Sequence, residues 1–376
     1  MTIATALIHN GFEIDEATGA LNTPIVQTST FAQDITKKQE FDYARSGNPT
    51  RKALEETIAK LEGGAKGYAF SSGMAAIGSV LGIFCAGDHI ISCEDIYGGS
   101  FRILNTFYRR WNLAHTFVDS VDLNAIAAAI TPNTKALFLE TPSNPLLKIT
   151  DLRSAIAIAK EHSLLTIVDN TFMTPLLQRP IELGADIVVH SATKFLGGHS
   201  DVVLGLAVAK TEEIGKRVYE VQNSFGAVPS PFDCFLTLRG IKSLRARLEM
   251  EQSSAHKLAL WLNDHPSVDR VFYPSLDNHD GRQIHFSQSS GAGAVLSFRT
   301  ATPQQAREFL RKTTLCATAV SLGGVESIAS YPIQMSHAAI PPKQRERLGI
   351  DERLIRISVG LEDIDDLIAD FEKALQ

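Results

Sequence analysis

Short apolar runs alternate with amphipathic helical patterns between residues 48 and 242, and this alternation constrains the fold more than any other feature of the chain. A strand buried on both faces has this continuous apolar character, and a helix between two such strands makes a parallel crossover connection. We therefore predict an α/β domain over 48–242, with a mostly parallel central sheet covered by helices. The predicted strands are 89–92, 135–139, 164–168 and 186–190, and a helical pattern such as 152–162 lies between them.

The two ends of the chain differ from this central part. Residues 1–47 have no sustained periodicity and contain turn chemistry such as Asn22-Thr23-Pro24. They predict an N-terminal arm that has no core of its own and must lie on another surface. Residues 243–376 predict a smaller C-terminal α+β domain. Its predicted elements are a helix over 243–264, strands at 293–298 and 354–359, and a closing helix over 363–375.

Composition excludes several classes of function. The 376 residues carry 36 basic and 42 acidic side chains, a formal net charge of −6, so no global basic field favours nucleic acid. The longest uncharged stretch, 67–87, is rich in Gly, Ser and Ala and predicts a buried strand, turn and helix, not a membrane span. Four scattered cysteines and the lack of a secretory signal predict a cytoplasmic protein. His190 and His199 lack metal-site spacing, so we expect no metal.

A loop of small residues, 71–76, follows the strand-like run 68–70 and opens a helix. Small residues let a ligand approach the backbone, and the free N–H groups of a helix start attract a phosphate. Tight packing of strand against helix explains the same residues equally well. Dinucleotide binding is disfavoured because no G-x-G-x-x-G follows a strand, and Gly291-Ala292-Gly293 runs into a strand instead.

Two further side chains follow predicted strands, where a parallel sheet binds its ligands. Asp169 ends one apolar run and, taken alone, could simply cap the next turn. Lys194 comes four residues after His190, between hydroxyls and glycines, where burial is expected. A buried lysine needs a partner or a task, and a desolvated one is a candidate Schiff-base amine. A phosphate loop, an acid and a lysine together are what pyridoxal 5′-phosphate requires.

With these residues in place, the sequence resembles the transsulfuration family of fold-type I pyridoxal-phosphate enzymes over essentially its whole length. That family includes cystathionine β-lyase, γ-lyase and γ-synthase and methionine γ-lyase. The stretches that carry the resemblance are 43–51, 71–75, 97–99, 140–145, 168–172, 190–194, 197–201, 321–324 and 356–360.

The resemblance implies roles for individual residues around the cofactor. Lys194 would form the Schiff base, Asp169 would pair with the pyridinium nitrogen, and Tyr97 would stack on the ring. Tyr43 and Arg45 would reach into the site of a neighbouring subunit, Arg45 to the phosphate, which implies a homo-oligomer, a homotetramer built of dimers. The catalytic residues would be Lys194, Tyr43 and Tyr97. The phosphate would be held by Ser72, Gly73, Met74, Ser191 and Thr193.

The resemblance also implies how an amino-acid substrate would bind. Arg356 would hold its α-carboxylate with a planar bidentate fork, assisted by Asn144 and Ser321. Two of these assignments have structural alternatives, since Tyr97 could be an ordinary core residue and Arg356 a structural ion pair.

Position 320 distinguishes branches of the family. The γ-synthase and γ-lyase typically carry an acid before the serine that corresponds to Ser321, whereas this chain has Val320. Methionine γ-lyases carry a cysteine two residues after the stacking tyrosine, where this chain has Gly99. Segments 285–288, 291–294 and 335–338 also resemble β-lyases. We therefore expect β-elimination of L-cystathionine to L-homocysteine, pyruvate and ammonia. The alternatives are a γ-lyase or γ-synthase and, from a different class, a cofactor-loaded regulator without turnover.

Overall fold

The computed structural model describes residues 1–9, 14–16 and 18–376, and within them we number twelve β-strands and fourteen α-helices. The strands are β1 (Lys66–Phe70), β2 (His89–Cys93), β3 (Ala114–Val118), β4 (Thr134–Glu140), β5 (Leu165–Asp169), β6 (Ile187–Ser191), β7 (Gly205–Ala209), β8 (Val268–Phe272), β9 (Val295–Thr300), β10 (Ala317–Thr318), β11 (Ile328–Ser330) and β12 (Leu354–Ser358). The helices are α1 (Ile3–His9), α2 (Pro49–Glu62), α3 (Gly73–Leu81), α4 (Gly98–Arg102), α5 (Leu123–Ala128), α6 (Leu152–Glu161), α7 (Thr174–Leu177), α8 (Pro180–Leu183), α9 (Glu212–Phe225), α10 (Pro231–Asp264), α11 (Arg282–Gln288), α12 (Pro303–Lys312), α13 (Pro342–Leu348) and α14 (Ile364–Leu375). A π-helical segment, Ile103–Tyr108, continues α4.

The larger sheet has seven strands in the order β1-β7-β6-β5-β4-β2-β3. Strand β7 is antiparallel to both of its neighbours, and the other pairs are parallel. Successive side chains of β5 enter separate apolar layers, Ile167 on one face and Val168 on the other. A sheet covered on both faces needs the continuous apolar strands seen in the sequence, so the predicted α/β fold is confirmed.

The smaller sheet has five strands in the order β10-β11-β12-β9-β8. Helices α10, α12 and α14 contribute to the apolar core of this C-terminal part. Three phenylalanines form its centre, with edge-to-face ring pairs Phe298–Phe309 at 5.3 Å and Phe309–Phe371 at 4.8 Å between centroids. Mixed strands with packed helices match the α+β architecture predicted for the C-terminal residues.

The long helix α10 begins twelve residues earlier than predicted, at Pro231 instead of residue 243. Ser230 caps it, because its hydroxyl accepts the Asp233 N–H at 3.1 Å, and proline at the first helical position suits that start. The predicted division at 242/243 therefore falls inside one continuous helix of 34 residues. The division into an arm and two domains is otherwise a prediction.

The first helix of the N-terminal arm lies on the body of the protein. Leu7 of α1 is 1% exposed and packs in the same apolar cluster as residues of α2 and α10. Residues 10–13 and 17 of the predicted arm lie outside the described residues. Farther along, the arm is largely irregular, with a single bridge between Thr30 and Tyr43. Among the helices of the described ranges, none combines the length and apolar character needed to span a membrane.

Candidate active site

A cavity of about 740 Å³ lies at the carboxyl ends of β4, β5 and β6, where residues of the smaller sheet also contribute to its wall. Parallel strands bring their carboxyl ends to one edge of a sheet, so this is where the sequence predicts a site. Twelve of the fourteen predicted site residues line the cavity, namely Ser72, Gly73, Met74, Tyr97, Asn144, Asp169, Ser191, Thr193, Lys194, Val320, Ser321 and Arg356.

Lys194 extends into the cavity from the turn after β6. Its Nζ donates a hydrogen bond to Ser321 Oγ at 2.6 Å. Burial, together with the nearby Arg356 cation, lowers the pKa of Lys194 from 10.5 to about 8. A larger fraction of the amine is therefore unprotonated near neutral pH than in a solvated lysine, as a nucleophile or base requires.

The Asp169 carboxyl is fixed at the end of β5. Its Oδ1 accepts hydrogen bonds from the backbone N–H of Thr171 at 3.0 Å and from the Thr171 hydroxyl at 2.6 Å. Burial raises the pKa of Asp169, while these two bonds and the neighbouring His190 oppose the rise. A bound cation would offset the unfavourable free energy of ionising this buried carboxyl, so the position suits a protonated ring nitrogen.

The start of α3 faces Ser191 closely enough to form a cradle. A Cβ added at Gly73 would lie 2.8 Å from Ser191 Cβ, so only glycine leaves the gap open. The first amides of a helix have no intrahelical partner, and Ser72 Oγ occupies only the Ala75 N–H, at 3.0 Å. The amides of Gly73 and Met74 thus suit a phosphate, with the Ser191 hydroxyl opposite. The Thr193 hydroxyl, in contrast, bonds to the backbone of Leu204.

Arg356 on β12 closes the cavity from the smaller sheet. Its Nη1 donates to Asn144 Oδ1 at 2.9 Å, and its Nη2 donates to the Ser321 carbonyl at 2.6 Å and to Ser330 Oγ at 3.1 Å. Its Nε is buried without a partner in the part of the chain that is described. Burial lowers the pKa of Arg356 to about 10. A buried guanidinium with an unused N–H suits a carboxylate.

Tyr43 and Arg45 do not line this cavity. Tyr43 is 47% exposed, and the Arg45 guanidinium lies 5.7 Å from its ring centroid. Arg45 Nη1 donates to the carbonyl and the side-chain oxygen of Asn223, at 2.8 and 3.0 Å. A single chain thus holds both residues away from its own cavity, and their predicted place in a neighbouring subunit's site is a prediction.

Several cavity residues were missed by sequence reasoning. Glu140 ends β4 as Asp169 ends β5, so the rule that found Asp169 would also have found it. Its carboxyl accepts the N–H groups of Tyr97 and Asn144, and burial raises its pKa. The others have no local sequence signal because tertiary packing brings them in. They include Arg102 and Ser330.

Pyridoxal 5′-phosphate fits the residues present, because the Gly73 cradle, the Asp169 carboxyl and the Lys194 amine match its phosphate, ring nitrogen and aldehyde. The class defined by fold and site is that of α/β enzymes dependent on pyridoxal phosphate. No group of three or more His, Cys, Asp or Glu side chains in the described ranges is arranged to hold a metal ion.

Comparisons with known proteins narrow this class. The family model described as "Cys/Met metabolism PLP-dependent enzyme" matches residues 4–376, so the chain belongs to that family. It is 53% identical to cystathionine beta-lyase MetC of Bacillus subtilis (strain 168) over 376 residues, covering 100% of this chain and 96% of the relative. It is 48% identical to cystathionine gamma-lyase of the same organism over 373 residues, covering 99% and 98%.

A solved structure of a related enzyme has nearly the same fold. Cystathionine gamma-lyase from Lactobacillus plantarum, crystallised with L-serine, superposes with a TM-score of 0.97 at 44% identity, covering 100% of this chain and 98% of that one. The family match and this superposition confirm the predicted family, fold and cofactor. Because β- and γ-lyases both appear among these relatives, the comparisons do not determine which C–S bond is cleaved.

Proposed function

We propose that this enzyme is a cystathionine β-lyase of the cytoplasm, which cleaves the Cβ–S bond of L-cystathionine. The observation that carries the proposal is Val320, which lines the cavity next to Ser321 and is 65% exposed. A carboxylate at this position would attract the distal ammonium group of cystathionine and favour one binding mode, and a valine cannot. The similarity to the Bacillus subtilis β-lyase supports the same assignment.

The residues that would hold the cofactor lie at strand ends, loops and a helix start around the larger sheet. Asp169 would hold the proton on the ring nitrogen, and Tyr97 would cover the ring. The phosphate would lie in the cradle between Gly73 and Ser191, where the Met74 amide would also donate to it. The Thr193 hydroxyl could donate as well, once it turns away from the Leu204 backbone. When bound, pyridoxal phosphate supplies an aldehyde that joins the substrate amine and a ring that accepts the electrons left at Cα.

Arg356 would bind the substrate α-carboxylate. Its Nε–H has no partner among the described residues and Nη1 has a second N–H beyond the one given to Asn144, while Asn144 and Ser330 keep the guanidinium plane fixed. Ser321, which bonds to both Lys194 and Arg356, would hold the substrate's Cα next to the lysine amine.

Lys194 would move the protons. Its lowered pKa lets the free amine accept the Cα proton at near-neutral pH. The Cβ–S bond then breaks with its electron pair on sulfur, and the sulfur takes a proton from Lys194 or from the Tyr43 hydroxyl of a neighbouring subunit. Homocysteine leaves, and water converts the remaining three-carbon fragment to pyruvate and ammonia.

The exposed positions of Tyr43 and Arg45 support an oligomeric enzyme. We propose a homotetramer built of dimers, in which these two residues complete the neighbouring subunit's cavity. Light scattering at the assay concentration tests this directly, since full activity from a species with the 40.9 kDa mass of one chain would contradict it.

The decisive experiment is to incubate the holoenzyme with L-cystathionine and identify the oxo acid formed, with Lys194→Ala as the matched inactive control. Pyruvate together with homocysteine is the expected result. 2-Oxobutyrate with cysteine would instead indicate a γ-lyase. That activity is named for the Bacillus subtilis relative of 48% identity and for the Lactobacillus plantarum structure. A cofactor-loaded protein that forms no oxo acid would point to a γ-synthase or to a regulator without turnover.

A further inference from the structure

Glu140 is a cavity-lining carboxylate for which the proposed function has no task. It is the last residue of β4 and pairs in register with Asp169, the last residue of β5. Only 6% of it is exposed. A buried carboxylate is strongly unfavourable unless its oxygens accept hydrogen bonds, so the partners of Glu140 indicate what it holds in place.

Each oxygen of Glu140 accepts a backbone N–H from a different loop. Oε2 accepts from Tyr97 at 2.9 Å, and Oε1 accepts from Asn144 at 3.1 Å. Tyr97 is 40% exposed, and this backbone bond ties its loop to the end of β4. Asn144, in turn, accepts the Arg356 guanidinium through its own side chain.

Charged groups from three elements face Glu140. Asp169 of β5 and Asp95, in the loop after β2, raise the pKa of Glu140 in addition to burial. Arg356 of β12 has the opposite charge, and Glu140 raises the pKa of that guanidinium. Lys194 bonds to Ser321 and makes no hydrogen bond to Glu140. The carboxyl is thus connected to the groups that bind ligands and not to the amine that transfers protons.

We propose that Glu140 is a positioning residue that ties the cofactor-stacking Tyr97 loop to the carboxylate-binding Asn144 loop. This inference rests on the proposed roles of Tyr97 and Asn144. Its signature is loss of ligand binding without an equal loss of the chemical step, because the Lys194 amine stays where it is. A purely structural residue would instead lower the fraction of folded, active enzyme and leave KM unchanged.

Two variants test the proposal. Glu140→Gln keeps the size of the side chain but places an NH2 donor against one of the two N–H donors. Glu140→Asp keeps the charge but is one methylene too short to reach both loops. Asp370→Asn is the matched structural control, because Asp370 is a buried carboxylate that accepts the Thr314 and Leu315 N–H groups away from the cavity.

We expect both Glu140 variants to bind pyridoxal phosphate about tenfold more weakly, since one buried N–H is left without its partner. The dissociation constant comes from titrating the full-length apoenzyme with the cofactor. At saturating cofactor, KM for L-cystathionine should rise about tenfold while kcat stays within about threefold. Asp370→Asn should unfold at lower temperature with the wild-type cofactor affinity and KM.

Wild-type cofactor affinity and KM in either Glu140 variant would overturn the proposal, as would a fall in kcat alone. If the wild type forms no oxo acid from cystathionine, the proposed function fails while this inference is still tested, because cofactor affinity and the binding of L-alanine, followed by cofactor absorbance, need no turnover. If Glu140→Gln does not fold, Glu140→Asp decides the outcome.

Discussion

The buried Lys194 amine makes a quantitative prediction about stability. Burial and the Arg356 cation lower its pKa from 10.5 to about 8 in the folded chain. Replacing it with methionine, which has a similar shape and no charge, removes the unfavourable free energy of protonating a buried amine. We therefore expect the apoenzyme of Lys194→Met to be more stable than the wild-type apoenzyme at pH 7.

The magnitude follows from the two pKa values. Between pH 8 and 10.5 the unfolded chain binds more protons than the folded chain, so the wild type gains stability as pH rises. The unfavourable free energy of keeping Lys194 charged is about 3 kcal/mol at pH 7, about 2 kcal/mol at pH 9, and small above pH 10.5. The lost bond to Ser321 offsets about 1 kcal/mol at every pH. The variant should thus be about 2 kcal/mol more stable at pH 7 and about 1 kcal/mol less stable in strong alkali.

Urea unfolding of both apoenzymes across this pH range measures the difference, with equal protein concentrations because association also stabilises a folded chain. The exposed Lys216 on α9 offers the matched control, since Lys216→Met makes the same chemical change in solvent and should alter stability little at any pH. A difference between Lys194→Met and the wild type that does not change with pH would refute the reasoning.

Three further predictions concern activity. Lys194→Ala should lower turnover by about 10²–10⁴-fold, and the visible absorbance of the bound cofactor should disappear; an ordinary rate in this variant would remove Lys194 from the mechanism. Val320→Glu should shift the products of cystathionine cleavage from pyruvate towards 2-oxobutyrate, and an unchanged ratio by chromatography would show that position 320 does not select the bond. Arg356→Lys should lower kcat/KM about 10–100-fold, mainly through KM, because lysine lacks the planar fork; steady-state assays with unchanged KM would contradict its role at the substrate carboxylate.

The sequence predicts best those features that repeat along the chain. Continuous apolar runs located β2, β4, β5 and β6, and the rule that ligands bind at the carboxyl ends of strands in the predicted parallel sheet selected Asp169 and Lys194. The order of the strands could not be obtained this way, because a buried strand has the same pattern wherever it lies in a sheet. The antiparallel β7, which pairs with both β1 and β6, is an example.

Residues that act across elements left weaker signals. Arg356 and Ser321 were assigned by resemblance alone, since no local pattern places a strand of the smaller sheet against the loop after β4. Glu140 has the same strand-end signal as Asp169, but its two partners, the backbone N–H groups of Tyr97 and Asn144, belong to no side-chain pattern and could not be predicted. The predicted start of α10 at residue 243 is wrong, although Ser230-Pro231 is itself a helix-start signal.

Three buried polar groups of the cavity lack either a compensating charge or a hydrogen-bond partner, and each matches one part of the proposed ligands. The Lys194 amine is desolvated, burial raises the pKa of the Asp169 carboxyl, and Arg356 Nε has no partner among the described residues. An aldehyde, a ring cation and an α-carboxylate would satisfy them in turn. Because these groups come from both sheets, they can act together only if the two sheets keep the same relative position at the cavity. The bond from Arg356 to Asn144 joins the two sheets at the cavity itself, so the contact that closes the cavity would, in the proposed function, also orient the substrate.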